Sequence, residues 1–551
     1  MAKTSIVSPA AHASGAKGNE IGVCTSLDVS LEGSEHDQLV SQPRSRDEQL
    51  LARLGYKQEL NRGLGLFENW AATFACMNFV SGMPVLFGWV MMTGGPQAAF
   101  TSWTMVSTIS CGLALALAEI AASLPTAGGI YFWAYSLGGS EWGPFLSWMT
   151  AWWNWSAWVL AVPGTQQGAT NFLLSALQIN YPDAALFHEA WFSLVLILAG
   201  LFIALLPNIT SQRWLRLYFR IAIAIFLVLL VLFWVWFPVA AAGRFRSASF
   251  VFKTFHNGIN RGPTQQASNA YCWLISLLFG AWEFGGYDAS AHLAEETQDA
   301  SKTVARGMWL STASTALLSI PTLILILFCI QDFDALISAT YANNWAEFLV
   351  QVVGRRGATA ILIMNWIDCT CATAAVILSA QRVTFAISRD NILPGSSIFR
   401  KVSKVNATPV NAALLVICIA AAVSCTVLGS TVAFSAITAT TVICQNMSYL
   451  FVLVTRHTLG RRRFEPSSWN LGRLSRPLGY LSVLWIVFLS IVLLLPQVFP
   501  VSIETLNYSP VCLVIVTAVS MIGWILPFGW GGRHWFRGPR KTVTATRQEQ
   551  A

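Results

Sequence analysis

Apolar residues run along this chain in twelve long blocks, near 70–92, 98–122, 142–165, 191–207, 217–240, 271–292, 308–330, 357–387, 409–429, 432–455, 478–499 and 510–530. A helix needs about 20 apolar residues to cross the hydrocarbon core of a bilayer. The pattern therefore predicts an all-α polytopic membrane protein with twelve transmembrane helices. The eighth block is too long for a helix standing upright in the membrane, and predicts one that tilts or continues beyond it. Polar sequence flanks the blocks. Residues 1–45 predict a disordered tail, and 531–551 a second, short tail. Between them, 46–69 sets apolar residues at helical spacing among charges, which predicts a segment lying along the membrane surface.

Composition supports a membrane class. The chain is 55% hydrophobic and 11% charged, whereas soluble domains carry about 25% charged residues. Most of the cysteines named by position, such as Cys76, Cys272, Cys369 and Cys371, fall inside apolar blocks and read as small packing residues. The formal charge of +8 is distributed as a topology signal and not as a nucleic-acid footprint. With the N-terminus inside, the inner loops hold fourteen Lys and Arg and the outer loops six. Both termini are thus expected in the cytoplasm. No charged n-region with a short apolar stretch and cleavage site precedes the first block, so no removable signal peptide is expected. Seven scattered His, with no HxxxH, P-loop or GxSxG pattern, argue against an enzyme. Neither a metal nor another cofactor is expected.

Two blocks contain residues that weaken helices at matching places. The first reads MNFVSGMPVLFGWV, with Ser81, Gly82 and Pro84. The sixth reads LLFGAWEFGGYDAS, with Gly280, Gly285 and Gly286. Interrupted helices at corresponding positions of two halves point to a transporter binding site. Unwinding frees backbone groups that a ligand, an ion, water or neighbouring protein must satisfy. Few ionisable residues lie within the blocks, and each is a functional candidate. Glu119, Arg220, Asp288, His292 and Arg382 sit toward predicted cytoplasmic ends. Glu283 lies deeper, in the expected break, with no Lys or Arg at its depth. Such a group needs a proton or a cationic ligand. Asp368, near Asn365, is the second deep acid. The run WMTAWWNWSAW (148–158) offers either cation–π contacts or interfacial anchoring, and places Asn154 to hydrogen-bond within the bundle.

Four ordered segments, LGYKQELNR (54–62), AEIAASLPTAGGIYFW (118–133), GYDASAHLAEET (286–297) and QRVTFAISRDNILP (381–394), resemble the amino acid–polyamine–organocation superfamily. The similarity is to its fungal branch of amino-acid, choline and 4-aminobutyrate permeases, over about residues 46–530. The resemblance implies a leucine-transporter-like fold. Helices one to five (70–240) and six to ten (271–455) would form two inverted repeats with helices one and six broken, followed by helices eleven and twelve (478–530). It implies that Val80, Ser81, Gly82 and Met83 receive a substrate carboxylate. Trp282, Glu283, Phe284 and Gly285 would supply carbonyls and an aromatic gate, with Asn154 and Asp368 as further binding candidates. Asp288, Glu295 and Glu296 would gate the inner end of helix six. Two positions depart from the pattern. Span one has a single Gly where many relatives have Gly-x-Gly, and Glu283 stands where relatives are small or neutral. The implied activity is secondary active import of a small amino acid or related amine (4-aminobutyrate, choline or a polyamine-like compound), with a proton as coupling ion. The alternative is a nutrient sensor on the same fold with little flux. The implied partners are that small amino compound and the lipid bilayer, without nucleic acid, and the implied site is the plasma membrane, with the vacuolar membrane as alternative.

Overall fold

Uncharged runs of Leu, Ile, Val, Ala and Phe fold here as helices, which pair their backbone groups within one segment as hydrocarbon requires. The structure, a computed structural model, describes residues 46–540 apart from 59, 61, 404, 405, 407, 430–432 and 504. The expected tail 1–45 and the last part of the second tail, 541–551, lie outside the described residues. Among the described residues there is no β-strand, only isolated bridges.

A short helix α1 (Arg46–Arg53) precedes α2 (Leu66–Cys76), α3 (Phe79–Val85) and α4 (Phe87–Met92), which follow one another as pieces of the first apolar block. Next come α5 (Gly95–Ser123), α6 (Gly129–Asn180), α7 (Ala190–Ile209) and α8 (Gln212–Val231). A wider turn at Leu232–Trp236 carries α8 into α9 (Phe237–Ala240), and α10 (Ala248–Lys253) sits in the following loop. The second half holds α11 (Asn269–Glu283), α12 (Ala289–His292), α13 (Ala300–Cys329), α14 (Phe333–Ser338) and α15 (Trp345–Arg389). It continues with α16 (Ser396–Phe399), α17 (Val410–Ser424), α18 (Ala433–His457), α19 (Ser475–Leu494), α20 (Ser509–Ile525) and α21 (Gly532–Trp535). Among the described residues, eight helical segments are long and apolar enough to cross a membrane. The other apolar blocks fold as the broken α2–α4 and α11–α12, the long α6 and the shorter α20.

Exposure follows the same logic. Leu217, Ile221, Val228 and Val235 along α8 and its extension, and Leu484, Val487 and Ile491 on α19, are all exposed. Patches this large are unstable in water and natural in lipid. Between helices, lipid gives no hydrophobic drive, so packing and polar contacts hold the bundle. α6 packs against both α15 and α18, and α13 against α5 and α2. Indoles supply much of the polar glue: Trp103 Nε1 donates to Ser319 Oγ at 2.8 Å, Trp273 to Thr101 at 2.9 Å and Trp234 to Thr322 at 2.8 Å.

The overlong eighth block is resolved by α15. After a kink at Gly354 the helix runs unbroken to Arg389, about 50 Å at 1.5 Å per residue. It outlasts the hydrocarbon and delivers its C-terminal charges to the loops beyond. The segment before the first block behaves differently from its amphipathic pattern. Leu51, Tyr56 and Leu60 are buried, and Leu51 and Tyr56 join a core with Phe132, Leu137 and Val304. These apolar residues of the segment are thus packed against protein.

Candidate functional site

Two helix breaks meet at the centre of the molecule. α2 stops at Cys76, and Met77 and Asn78 leave helical geometry before α3 begins at Phe79. The sequence places this break at Ser81–Pro84; instead those residues lie inside α3. Proline cannot donate to the carbonyl four residues back, and the defect is repaired from another helix: Asn365 Nδ2 donates to the Val80 carbonyl at 3.3 Å. The second break falls where the sequence predicts it. α11 ends at Glu283, and the chain turns through 284–288 before α12. Gly286 has φ +83, and a Cβ there would stand 3.3 Å from Trp158 and 3.5 Å from Cys76 Cβ. Only glycine permits that turn and that approach.

A cavity opens between the breaks, lined from α2 and α3 by Cys76, Asn78, Ser81 and Gly82 and from the other break by Trp282, Glu283 and Gly285. It offers about 60 Å³ to the centres of water molecules, room for several waters. Two carboxylates serve it. Glu283 is 4% exposed and its Oε1 has no partner among the described residues. Asp368 on α15 is fully buried, and its Oδ2 accepts from Asn78 Nδ2 at 2.6 Å and Ser81 Oγ at 2.8 Å. Its other oxygen has no partner. No Lys, Arg or His lines the cavity. An unpaired buried charge is costly, so this wall is satisfied by protons or by a cationic guest.

Asp288 lies beside the cavity, bound to its lining residues Trp158 and Gln445. It accepts from Asn154 Nδ2 at 3.0 Å, Trp158 Nε1 at 3.1 Å, Gln445 Nε2 at 3.0 Å and Tyr449 OH at 2.7 Å, and pairs with His292 at 3.1 Å. Five groups from α6, α12 and α18 thereby converge on one carboxylate. Beyond it lie two buried ion pairs, Arg382–Glu296 at 2.6 Å and Arg389–Glu295 at 3.2 Å. The segment preceding α2 braces this layer: Gln58 Nε2 donates to the Glu295 carbonyl at 2.8 Å and Arg62 Nη1 to the Thr297 carbonyl at 2.6 Å. Asp390, just past α15, accepts from Tyr131 OH at 2.7 Å and from the Arg540 amide at 2.9 Å. Burial pushes its carboxyl up to about 6, against the pull of Arg389 and these hydrogen bonds.

Residues 67–518 match the amino acid permease family model. The chain belongs to the amino acid permease family. The permease is 30% identical to thiamine transporter thi9 of Schizosaccharomyces pombe over 523 residues, covering 90% of this chain and 88% of that one. It is also 30% identical to amino-acid permease BAT1 of Arabidopsis thaliana, covering 90% and 96%. A putative polyamine transporter of Candida albicans is 25% identical, covering 90% of each chain. The family is one of membrane transporters in the amino acid–polyamine–organocation superfamily, not of enzymes, and these relatives are named for thiamine, amino acids and, putatively, polyamines.

The permease sorts the residues singled out in its sequence. Ser81, Gly82, Trp282, Glu283 and Gly285 line the cavity. Val80 and Met83 point into the core. Phe284 packs edge-on against Trp103, 5.5 Å between centroids, away from it. Asn154 touches Asp288 and not the cavity. Asp368 stands behind Asn78 and Ser81. Glu295 and Glu296 are paired with Arg389 and Arg382, apart from the cavity lining. Asp288, set by the sequence toward a predicted cytoplasmic end and free there to reach headgroups or to pair with a neighbouring charge, is fully buried and pairs with His292. Asn78 and Gln445 were not legible as site residues. Asn78 carries no helix-breaking signal, and Gln445 is an ordinary polar residue in an apolar block.

Proposed function

We propose that this permease is a secondary active transporter that imports a small amino compound, an amino acid or a related amine, together with a proton. The observation that carries the reading is the meeting of two broken helices at a cavity lined by Glu283, with Asp368 behind two of its lining residues and, among the described residues, no cationic side chain in the lining. Twelve crossings are proposed, the first ten as two inverted five-helix repeats, with both termini cytoplasmic and the protein in the plasma membrane. In this reading the guest's ammonium and a proton share the two carboxylates, so neither is left charged and alone in a dry site. Entry of the guest from one face requires the layers around Asp288, Glu295 and Glu296 to stay closed, and release requires them to part. Purified protein in proteoliposomes, given labelled amino acids, 4-aminobutyrate, choline and polyamines with and without an inward proton gradient, tests it. Accumulation that collapses with a protonophore is expected. Absence of accumulation of every compound from correctly inserted protein overturns it.

A further inference from the structure

Glu283 does more than border the cavity. A Cβ built on Gly82 would collide with Glu283 Oε2, so the carboxylate of α11 lies directly on the bare face of α3. Asp368 takes the start of the same helix, where both Asn78 and Ser81 donate to it. Two of the chain's own anions therefore cover α3 where it faces the cavity.

Several of the side-chain donors around the cavity are committed. Trp158 and Gln445 give their N–H groups to Asp288. The hydroxyls of Thr165 and Thr441 bond back to the carbonyls of Ala161 at 2.9 Å and Ile437 at 2.8 Å. Acceptors, by contrast, are in surplus. Glu283 Oε1, Asp368 Oδ1 and Asn78 Oδ1 are buried without a partner. At the end of α11 the Phe284 amide closes the last bond, to Gly280, and no backbone amide follows on to the carbonyls of Ala281 and Trp282. A carboxylate entering this space would meet two acidic side chains and no cationic one. A group bearing several N–H bonds and a positive charge would meet what the wall lacks.

We propose that the cavity takes a small organic amine that carries no carboxylate, with Glu283 filling the place of the missing group. This rests on the transport reading above and narrows it. Matched pairs that differ only by the carboxyl group test it: putrescine against ornithine, and n-propylamine against 4-aminobutyrate, as labelled substrates and competitors in proteoliposomes. Each amine is expected to compete at least tenfold better than its carboxylated partner. If the carboxylated member is carried equally or better, or if neither member of any pair moves while another amino compound does, transport stands and this inference falls; if no amino compound of any kind moves, the transport reading falls with it. Glu283→Gly, which vacates the space over Gly82, should shift the putrescine-to-ornithine ratio at least tenfold toward ornithine. Glu283→Gln keeps the shape and removes the charge, and should weaken putrescine at least tenfold. An unchanged ratio in both variants, inserted at natural levels, overturns the assignment.

Discussion

Single residues in this bundle are placed by what the backbone lacks. Pro84 leaves the Val80 carbonyl without its helical partner, and Asn365 Nδ2 reaches across from α15 to satisfy it. Removing the donor leaves a buried carbonyl unpaired, a cost of about 1–3 kcal/mol. Asn365→Ala should therefore lower the melting temperature in detergent, and adding Pro84→Ala, which restores an N–H within α3, should recover part of the loss. Additive losses in the double variant would show that the two residues are not coupled in this way. Gly286 is a second such position. Its φ of +83 and its contact with Trp158 both exclude a side chain. Gly286→Ala should cost of order 1–3 kcal/mol and separate α2 from the start of α12, and a melting temperature equal to that of the natural chain would contradict this.

Elements were legible from sequence in proportion to how local their causes are. Each apolar block became helix because hydrocarbon leaves the backbone no other choice, and the break after Glu283 was visible because Gly285 and Gly286 disfavour helix locally. The break in the first block was misplaced. Gly82 and Pro84 are the residues that weaken a helix there, but the chain unwinds at Met77 and Asn78, where Asp368 on a distant helix draws the Asn78 amide to 2.6 Å. No propensity encodes that. The layer of buried ion pairs was half legible: Glu295 and Glu296 carried a recognisable motif, while their partners Arg389 and Arg382 lay 94 and 86 residues later. Long-range pairing of this kind makes a testable unit. Arg389→Met leaves the fully buried Glu295 carboxylate without its cation, a loss of about 3–5 kcal/mol for a buried pair. Adding Glu295→Gln to that variant removes the stranded charge and should regain more than half of the loss, read as melting temperature and monodisperse yield. A double variant no better than Arg389→Met would mean that the pair does not hold the layer.

On the scale of the whole molecule, α15 links the parts. One continuous helix carries Asn365 and Asp368 beside the first helix break, Arg382 and Arg389 at the buried ion pairs, and leads directly into Asp390. At that last point the segment after α20 is folded back. Phe536 is buried against Trp148, with centroids 5.6 Å apart, and the Arg540 amide reaches Asp390. Asp390 is where the arrangement costs stability. Burial raises its carboxyl from an ordinary 3.8 to about 6, so the ionised form is disfavoured in the folded state. Below about pH 4 the group is protonated folded or unfolded and contributes nothing. Between pH 4 and 6 the cost grows as pH rises, and above 6 it is present in full. Asp390→Asn keeps an oxygen for the Arg540 amide without the charge. Its melting temperature should exceed that of the natural chain at pH 7.5 and match it near pH 4. If the attraction of Arg389 outweighed burial, the variant would instead melt lower at pH 7.5, and the sign of that one difference decides whether charge or desolvation governs the junction between the end of α15 and the segment through Arg540.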